Sequence, residues 1–307
     1  MTLAFVFPGQ GSQSVGMLAE LAAQYPVVKD TFAEASAVLK LDLWQIVSDG
    51  PEETLNQTHI TQPAMLTAGV ATWRVWQARG GARPQIMAGH SLGEYSALVC
   101  AGVLDFSAAV ELVALRGQYM QAAVPAGQGA MAAILGLDDA QVVAACQQAA
   151  QGEVVSAVNF NSPGQVVIAG QAAAVQRAME ACKAAGAKRA LPLPVSVPSH
   201  CALMKPAAEQ LAQRLQGVTL RKPQIPVINN VDVAMPADAD VIRAALVRQL
   251  YNPVRWVETV QRMAGDGVTK LIECGPGKVL VGLNKRIAKD MATQALVDVA
   301  SLENSLA

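Results

Sequence analysis

The apolar and polar positions of this 307-residue chain fall into short solid apolar runs of strand length and longer stretches with helical spacing. Residues 3–7 are apolar throughout and end at Pro8-Gly9-Gln10-Gly11, the pattern of a buried strand entering a loop. Helical spacing predicts helices over 31–39 and, after Thr61-Gln62-Pro63, over 64–79, with Gly80-Gly81 as the stop. Residues 85–88 read as a second strand. Gly89-His90-Ser91-Leu92-Gly93 follows directly, and 94–103 reads as a helix, giving strand, tight turn, helix. Residues 105–120 form a further helix, apolar nearly all round.

From Gly129 the pattern changes. Strands are predicted at 130–135, 154–158, 166–169 and 190–195, with helices at 138–149 and 172–185. That order, βαββαβ, is the split arrangement of ferredoxin-like units. Pro192, Pro194 and Pro198 mark its exit. The chain then returns to α/β: strand 225–229, helices 239–250 and 254–264, strand 270–274, a Gly-Pro-Gly turn and a last helix. A small unit over 127–197 is therefore expected inside a larger α/β unit made of 1–126 and 198–307. No internal repeat or low-complexity segment interrupts either.

Composition narrows the function classes. With 52% hydrophobic and 15% charged residues the chain is too apolar for disorder. A net charge of −1 and a pI near 6.3 give no basic footprint for nucleic acid. Cysteines 100, 146, 182, 201 and 274 are odd in number and form no CxxC, which reads as reduced thiols in a cytosolic setting. The first lysine is Lys29, so the N-terminus lacks the basic region of a signal peptide. The longest apolar stretch, 96–104, falls well short of the roughly 20 residues a bilayer needs.

Gly89-x-Ser91-x-Gly93 between a strand and a helix matches a nucleophile elbow, where glycines permit the sharp turn that lifts a serine above a sheet. The following helix aims free N–H groups at developing negative charge. Taken alone, GxSxG is an ordinary glycine-rich turn about as often as not. A serine hydroxyl needs a base within hydrogen-bond reach. Of three histidines, His90 would point away as the backbone turns and His59 sits in a loop ahead of a helix, which leaves His200 in Val197-Pro198-Ser199-His200. No acid presents itself as orienter, since Glu180 lies inside an amphipathic helix and Asp138 and Asp139 cap another. A dyad whose imidazole is held by a backbone carbonyl is the better fit.

Arg116 lies among Leu112, Val113, Tyr119 and Met120 on its helix, with no acid one turn away. A guanidinium there needs an anion, either a distant internal carboxylate or one on a substrate. A backbone N–H from the loop after the first strand, with that of Leu92, could form an oxyanion hole. Two glycine-rich phosphate-loop mimics fail: Ser14 and Ile272 stand where glycines should, and Val279 where Ser or Thr should. No His/Cys spacing suggests a metal, and Cys201 reads as packing.

Several motifs occur together in one order: Phe7-Pro8-Gly9-Gln10-Gly11-Ser12-Gln13, Thr61-Gln62-Pro63-Ala64, Gly89-His90-Ser91-Leu92-Gly93-Glu94-Tyr95, Arg116-Gly117, Asn161-Ser162-Pro163-Gly164-Gln165, Val197-Pro198-Ser199-His200 and Glu273-Cys274-Gly275-Pro276-Gly277. Over essentially the whole chain they resemble the malonyl-CoA:acyl carrier protein transacylase family of type II fatty acid synthesis. That resemblance implies a hydrolase-like α/β large domain, with a parallel sheet and nucleophile elbow, carrying a ferredoxin-like insert. It implies Ser91 as nucleophile, His200 as base, the N–H groups of Gln10 and Leu92 as oxyanion hole, and Arg116 as grip on the malonyl carboxylate. Gln249 would supply the carbonyl that orients the histidine, and Asn161, Gln165 and Arg189 would line the CoA and pantetheine cleft. It further implies a ping-pong acyltransferase of the cytoplasm. Its partners are malonyl-CoA and acyl carrier protein, with no cofactor beyond these thioester substrates, no nucleic acid and no membrane. A monomer is the default expectation. Because the carrier is acidic, a basic rim from Lys183, Lys188, Arg189, Lys285 and Arg286 is expected. The alternatives are a malonyl-loading acyltransferase of malonate decarboxylase or polyketide synthesis, or a serine (thio)esterase with water as acceptor.

Overall fold

The computed structural model describes residues 2–195 and 197–306 and contains two sheets. The strands are β1 (Leu3–Phe7), β2 (Ile86–Gly89), β3 (Gly129–Leu135), β4 (Val155–Ser162), β5 (Gln165–Gln171), β6 (Arg189–Pro192), β7 (Val227–Ile228), β8 (Lys270–Cys274) and β9 (Ala292–Leu296). The larger sheet is parallel, in the order β7-β2-β1-β8-β9. β1 is its central strand and is buried at all five positions, as a solid apolar run must be when helices cover both faces. On one face lie Thr58–Ala78 and Phe106–Ala123, where Phe5 meets Trp73 and Trp76 edge-on. On the other, Trp256, Val260 and Leu280 pack against Ala4 and Val6.

The smaller sheet is antiparallel, in the order β4-β5-β3-β6. Helices Asp139–Ala150 and Ala172–Ala184 cover one side and bury Val142, Cys146, Val175 and Met179 against Ile134, Val166 and Ile168. The α/β class, the parallel sheet and the βαββαβ order are all present. The two cores touch along a short seam: Phe160 N–H donates to the Val254 carbonyl (3.0 Å) and Val254 N–H to that of Val158 (2.8 Å), a parallel bridge from β4 to the segment before helix Trp256–Gly265.

Local differences have local causes. The helix expected at 64–79 begins at Thr58, and Pro63 sits inside it. Proline forfeits only one backbone bond there, and Thr61 Oγ1 secures the helix entry by donating to the Leu55 carbonyl (2.6 Å). β6 stops at Pro192, short of residue 195. The chain does not end on the helix after Gly-Pro-Gly: Val279–Ile287 is followed by β9 and helix Val299–Leu306. β9 is an edge strand with only Ala295 and Leu296 buried, too weak a pattern to read. Helices Ala19–Gln24, Leu43–Asp49, Glu52–Leu55 and Lys205–Gln216 were also not predicted; the last shows the core only Ala207, Ala208, Leu211 and Leu215.

Candidate active site

The turn after β2 carries Ser91 at φ 52, the left-handed region that an L-residue enters at a cost of about 1–2 kcal/mol. Two glycines make the turn possible. A Cβ on Gly89 would collide with the backbone of Gly93, and one on Gly93 with the Phe7 carbonyl. Gly93→Ala should therefore force the helix Gly93–Cys100 off β1 and cost about 3 kcal/mol. Thermal unfolding checks this, and an unchanged midpoint would show that the strand and helix can part. Asn230, just past β7, ties the turn from outside: its Oδ1 accepts from Ser91 N–H and its Nδ2 donates to the Gly89 carbonyl, both at 2.7 Å.

Ser91 Oγ lies 2.7 Å from His200 Nε2, and His200 Nδ1 lies 2.7 Å from the backbone carbonyl of Gln249. A carbonyl only accepts, so Nδ1 carries the proton and Nε2 accepts from the serine hydroxyl. Burial first, and the positive charge of Arg116 second, push the imidazole pKa down to about 3. The histidine is thus held neutral and poised to take a proton. His200 also has positive φ, 66, and its own N–H donates to the Leu250 carbonyl (2.9 Å).

Arg116, on helix Phe106–Ala123, is 1% exposed. None of the ion pairs among the described residues includes it. Two amide oxygens hold it instead: Nη1 donates to Gln62 Oε1 (2.8 Å) and Nη2 to Gln249 Oε1 (3.0 Å). Nη2 is also 3.5 Å from Ser91 Oγ, and Nε–H has no acceptor among the described residues. The guanidinium carbon sits 5.4 Å from the Tyr95 ring centroid, a cation–π distance. A full positive charge with unused donors therefore lies beside the serine, and of the two anions open to it, no internal carboxylate makes contact.

A cleft of about 300 Å³ reaches Ser91 and His200 from the surface. Gly9, Gln10 and Gly11 form one wall, Val279, Leu280 and Leu283 another, and Asn159, Asn161, Gln165 and Val167 of the smaller sheet a third. The backbone N–H groups of Gln10 and Leu92 have no acceptor among the described residues. His90 does turn away: its Nε2 is 2.8 Å from Asn161 Oδ1, and burial lowers its pKa. His59 faces Gln121 Oε1 at 3.3 Å. Gln165 Oε1 accepts from Arg286 (3.0 Å), so one residue of the expected basic rim stands at the cleft. Arg189 lies exposed on β6, the edge strand of the smaller sheet, outside the residues that form the cleft walls at Ser91. Lys183 and Lys188 are likewise exposed outside the lining.

Four polar residues were not anticipated: Gln62, the side chain of Gln249, Glu94 and Asn230. Gln62 is a long amide in a helix buried over most of its length, a signal that it must meet a polar partner. Asn230 gave no such signal. No cluster of three or more metal-ligating side chains occurs among the described residues, and no helix there is long and apolar enough to cross a membrane.

Known proteins share this architecture. Residues 4–301 match the model of the acyl transferase domain family. A malonyl CoA-acyl carrier protein transacylase from Salmonella typhimurium is 65% identical over 303 residues, covering 99% of this chain and 98% of that one. A crystal structure of an acyl carrier protein S-malonyltransferase from Vibrio cholerae is 67% identical, with a TM-score of 0.97 over 99% of both chains. A malonyl-transacylase solved in complex with its type II polyketide acyl carrier protein is 63% identical, with a TM-score of 0.99 over 100% of this chain and 99% of that one.

Proposed function

The chain belongs to the acyl transferase domain family, and from that premise we propose the residue roles by which it moves a malonyl group from malonyl-CoA to the phosphopantetheine thiol of acyl carrier protein, supplying fatty acid synthesis. The observation that carries this reading is the unpaired charge of Arg116 beside Ser91 Oγ. Malonyl differs from acetyl by one carboxylate, and a buried guanidinium with free donors selects for it.

His200 Nε2 takes the Ser91 proton as Oγ attacks the thioester carbonyl. The oxyanion forms against the N–H groups of Gln10 and Leu92, donors that typically contribute about 3 kcal/mol each. Collapse expels the CoA thiolate, which leaves with the proton from His200. The carrier thiol then gives its proton to His200, attacks the malonyl-serine ester and departs as the new thioester, returning the proton to Ser91. The Gln249 carbonyl keeps the imidazole in the required tautomer throughout. Asn161 and Gln165 line the path of the pantetheine arm. In this proposal residues 127–197 form an inserted domain that closes one side of the cleft. The reaction needs no cofactor beyond its thioester substrates and belongs in the cytoplasm.

Incubation with malonyl-CoA, followed by holo acyl carrier protein, should give a malonyl-enzyme that discharges onto the carrier. Free malonate accumulating without carrier would move the assignment to a hydrolase. The polyketide complex favours a second reading, in which the same enzyme also loads a polyketide carrier; the same assay with that carrier separates the two.

The pH dependence has a definite sign. The reaction needs neutral His200, whose pKa is lowered from 6.5 to about 3, so the active form persists as pH falls below the ordinary imidazole range. The profile of kcat/KM for malonyl loading should thus show no inflection near pH 6.5 and stay level down to about pH 5. A fall centred near 6.5 would mean that the free enzyme's base is not this buried imidazole.

A further inference from the structure

We propose that Glu94 is a positioning residue that, through the side-chain amide of Gln249, sets the arginine clamp and the histidine together. The inference rests on the roles given above to Ser91, His200 and Arg116.

Glu94 lies in the first turn of the helix after the serine, and is 2% exposed. Its Oε2 accepts from Asn230 N–H (2.9 Å) and from Gln249 Nε2 (2.8 Å). Gln249 Nε2 also donates to the Ser91 carbonyl (3.0 Å). Both amide hydrogens thus point at oxygens that can only accept, which leaves one orientation for the amide. In it Oε1 faces Arg116 Nη2. A flipped amide would set an NH₂ group against the guanidinium, donor against donor. The same residue's backbone carbonyl holds His200 Nδ1, so the residue that Glu94 and the Ser91 carbonyl tether by its amide touches both partners of the serine.

The relay also resolves a conflict at the clamp. A carboxylate bonded directly to Arg116 would occupy the donors that the malonyl group requires. Placed one amide away, Glu94 orients the oxygen that meets Arg116 and leaves those donors free. Burial raises the Glu94 pKa to about 7, against the pull of Asn230, Gln249 and Arg116. Protonation leaves Oε2 an acceptor if the proton sits on Oε1, so the orientation survives in either form.

Two variants separate reach from charge. Glu94→Asp keeps the charge but withdraws the oxygen by one methylene. Glu94→Gln gives up the charge but keeps an oxygen where Oε2 stands. Malonyl and acetyl loading are followed by intact-protein mass spectrometry under kcat/KM conditions, with thermal unfolding to certify the fold. Glu94→Asp should lose about 10²-fold in malonyl loading, with much of the preference over acetyl, whereas Glu94→Gln should stay within about threefold of wild type. In a Gln249→Met background, Glu94→Asp should add no further loss. The reverse order of the two variants, wild-type behaviour in both, or multiplying losses in the Gln249→Met background would each overturn the proposal. Wild-type protein that takes up no malonyl group at Ser91 would instead overturn the reading on which it rests.

Discussion

Ser91→Ala should yield no malonyl-enzyme with malonyl-CoA, and malonylation of the carrier should fall by about 10⁴-fold or more. The size follows from the route. The reaction divides at a serine ester, and without Oγ no group in the cleft can hold the malonyl unit between the departure of CoA and the arrival of the carrier. Direct thiol attack would need both bulky substrates in a cleft of about 300 Å³ at once. The fold should tolerate the change, because the tethers of this turn are backbone N–H and carbonyl groups bound by Asn230 and Gln249, not the hydroxyl. Intact-protein mass spectrometry checks the adduct. A malonyl adduct persisting on Ser91→Ala would place the nucleophile elsewhere.

Arg116→Ala should cut malonyl loading by about 10³-fold while acetyl loading holds or rises. In the native site an acetyl group leaves a buried cation without the anion it is arranged to meet, whereas malonyl satisfies it. Removing the guanidinium abolishes both the reward and the penalty, so preference collapses from both sides. The oxygens of Gln62 and Gln249 lose a donor and must be served by water, which sets a stability loss beside the kinetic one. A second readout tests the electrostatics. Arg116 is one of the groups that lower the His200 pKa, so its removal should move the acid limb of acetyl loading to higher pH, though burial, the larger cause, keeps it below 6.5. Equal losses for malonyl and acetyl would show that Arg116 supports the fold and not the choice of acyl group.

Much of this site could be read before the fold was known, because its parts sit where local pattern is strong. A solid apolar strand followed by Gly-x-Ser-x-Gly and a helix leaves the chain little choice at Ser91. Arg116 stood out because a guanidinium on an apolar helix face needs an anion, internal or on a substrate, and the helix itself offers none. His200 emerged because two other histidines were poorly placed. What escaped was the polar shell behind them. The resemblance supplied the Gln249 carbonyl for His200, but not the side-chain amide that meets Arg116 from a helix more than a hundred residues further on, a meeting no spacing encodes. Asn230 acts from the loop just past β7, where the strand was foreseen but nothing in the pattern marks the asparagine that follows it. The resemblance alone pointed to Arg189, and its own strand gave no local signal, since three of its four residues are exposed. β9 was lost for a similar reason, since an edge strand with one buried end lacks the alternation that marks a strand.

The seam between β4 and Val254 bears on how the molecule comes apart. Val158 and Phe160 are tied to Val254, and in the next residue of β4 Asn161 meets His90, the immediate chain neighbour of the nucleophile. The smaller sheet has its own apolar core and could melt alone if loops were its only attachment. Here its loss would strip backbone partners from Val254, two residues before the buried Trp256, and would also release His90. The two cores should therefore unfold together: in denaturant, loss of the smaller core, loss of the larger one and loss of Ser91 reactivity are expected to coincide, and an earlier separate loss of the smaller core would show that the seam does not couple them.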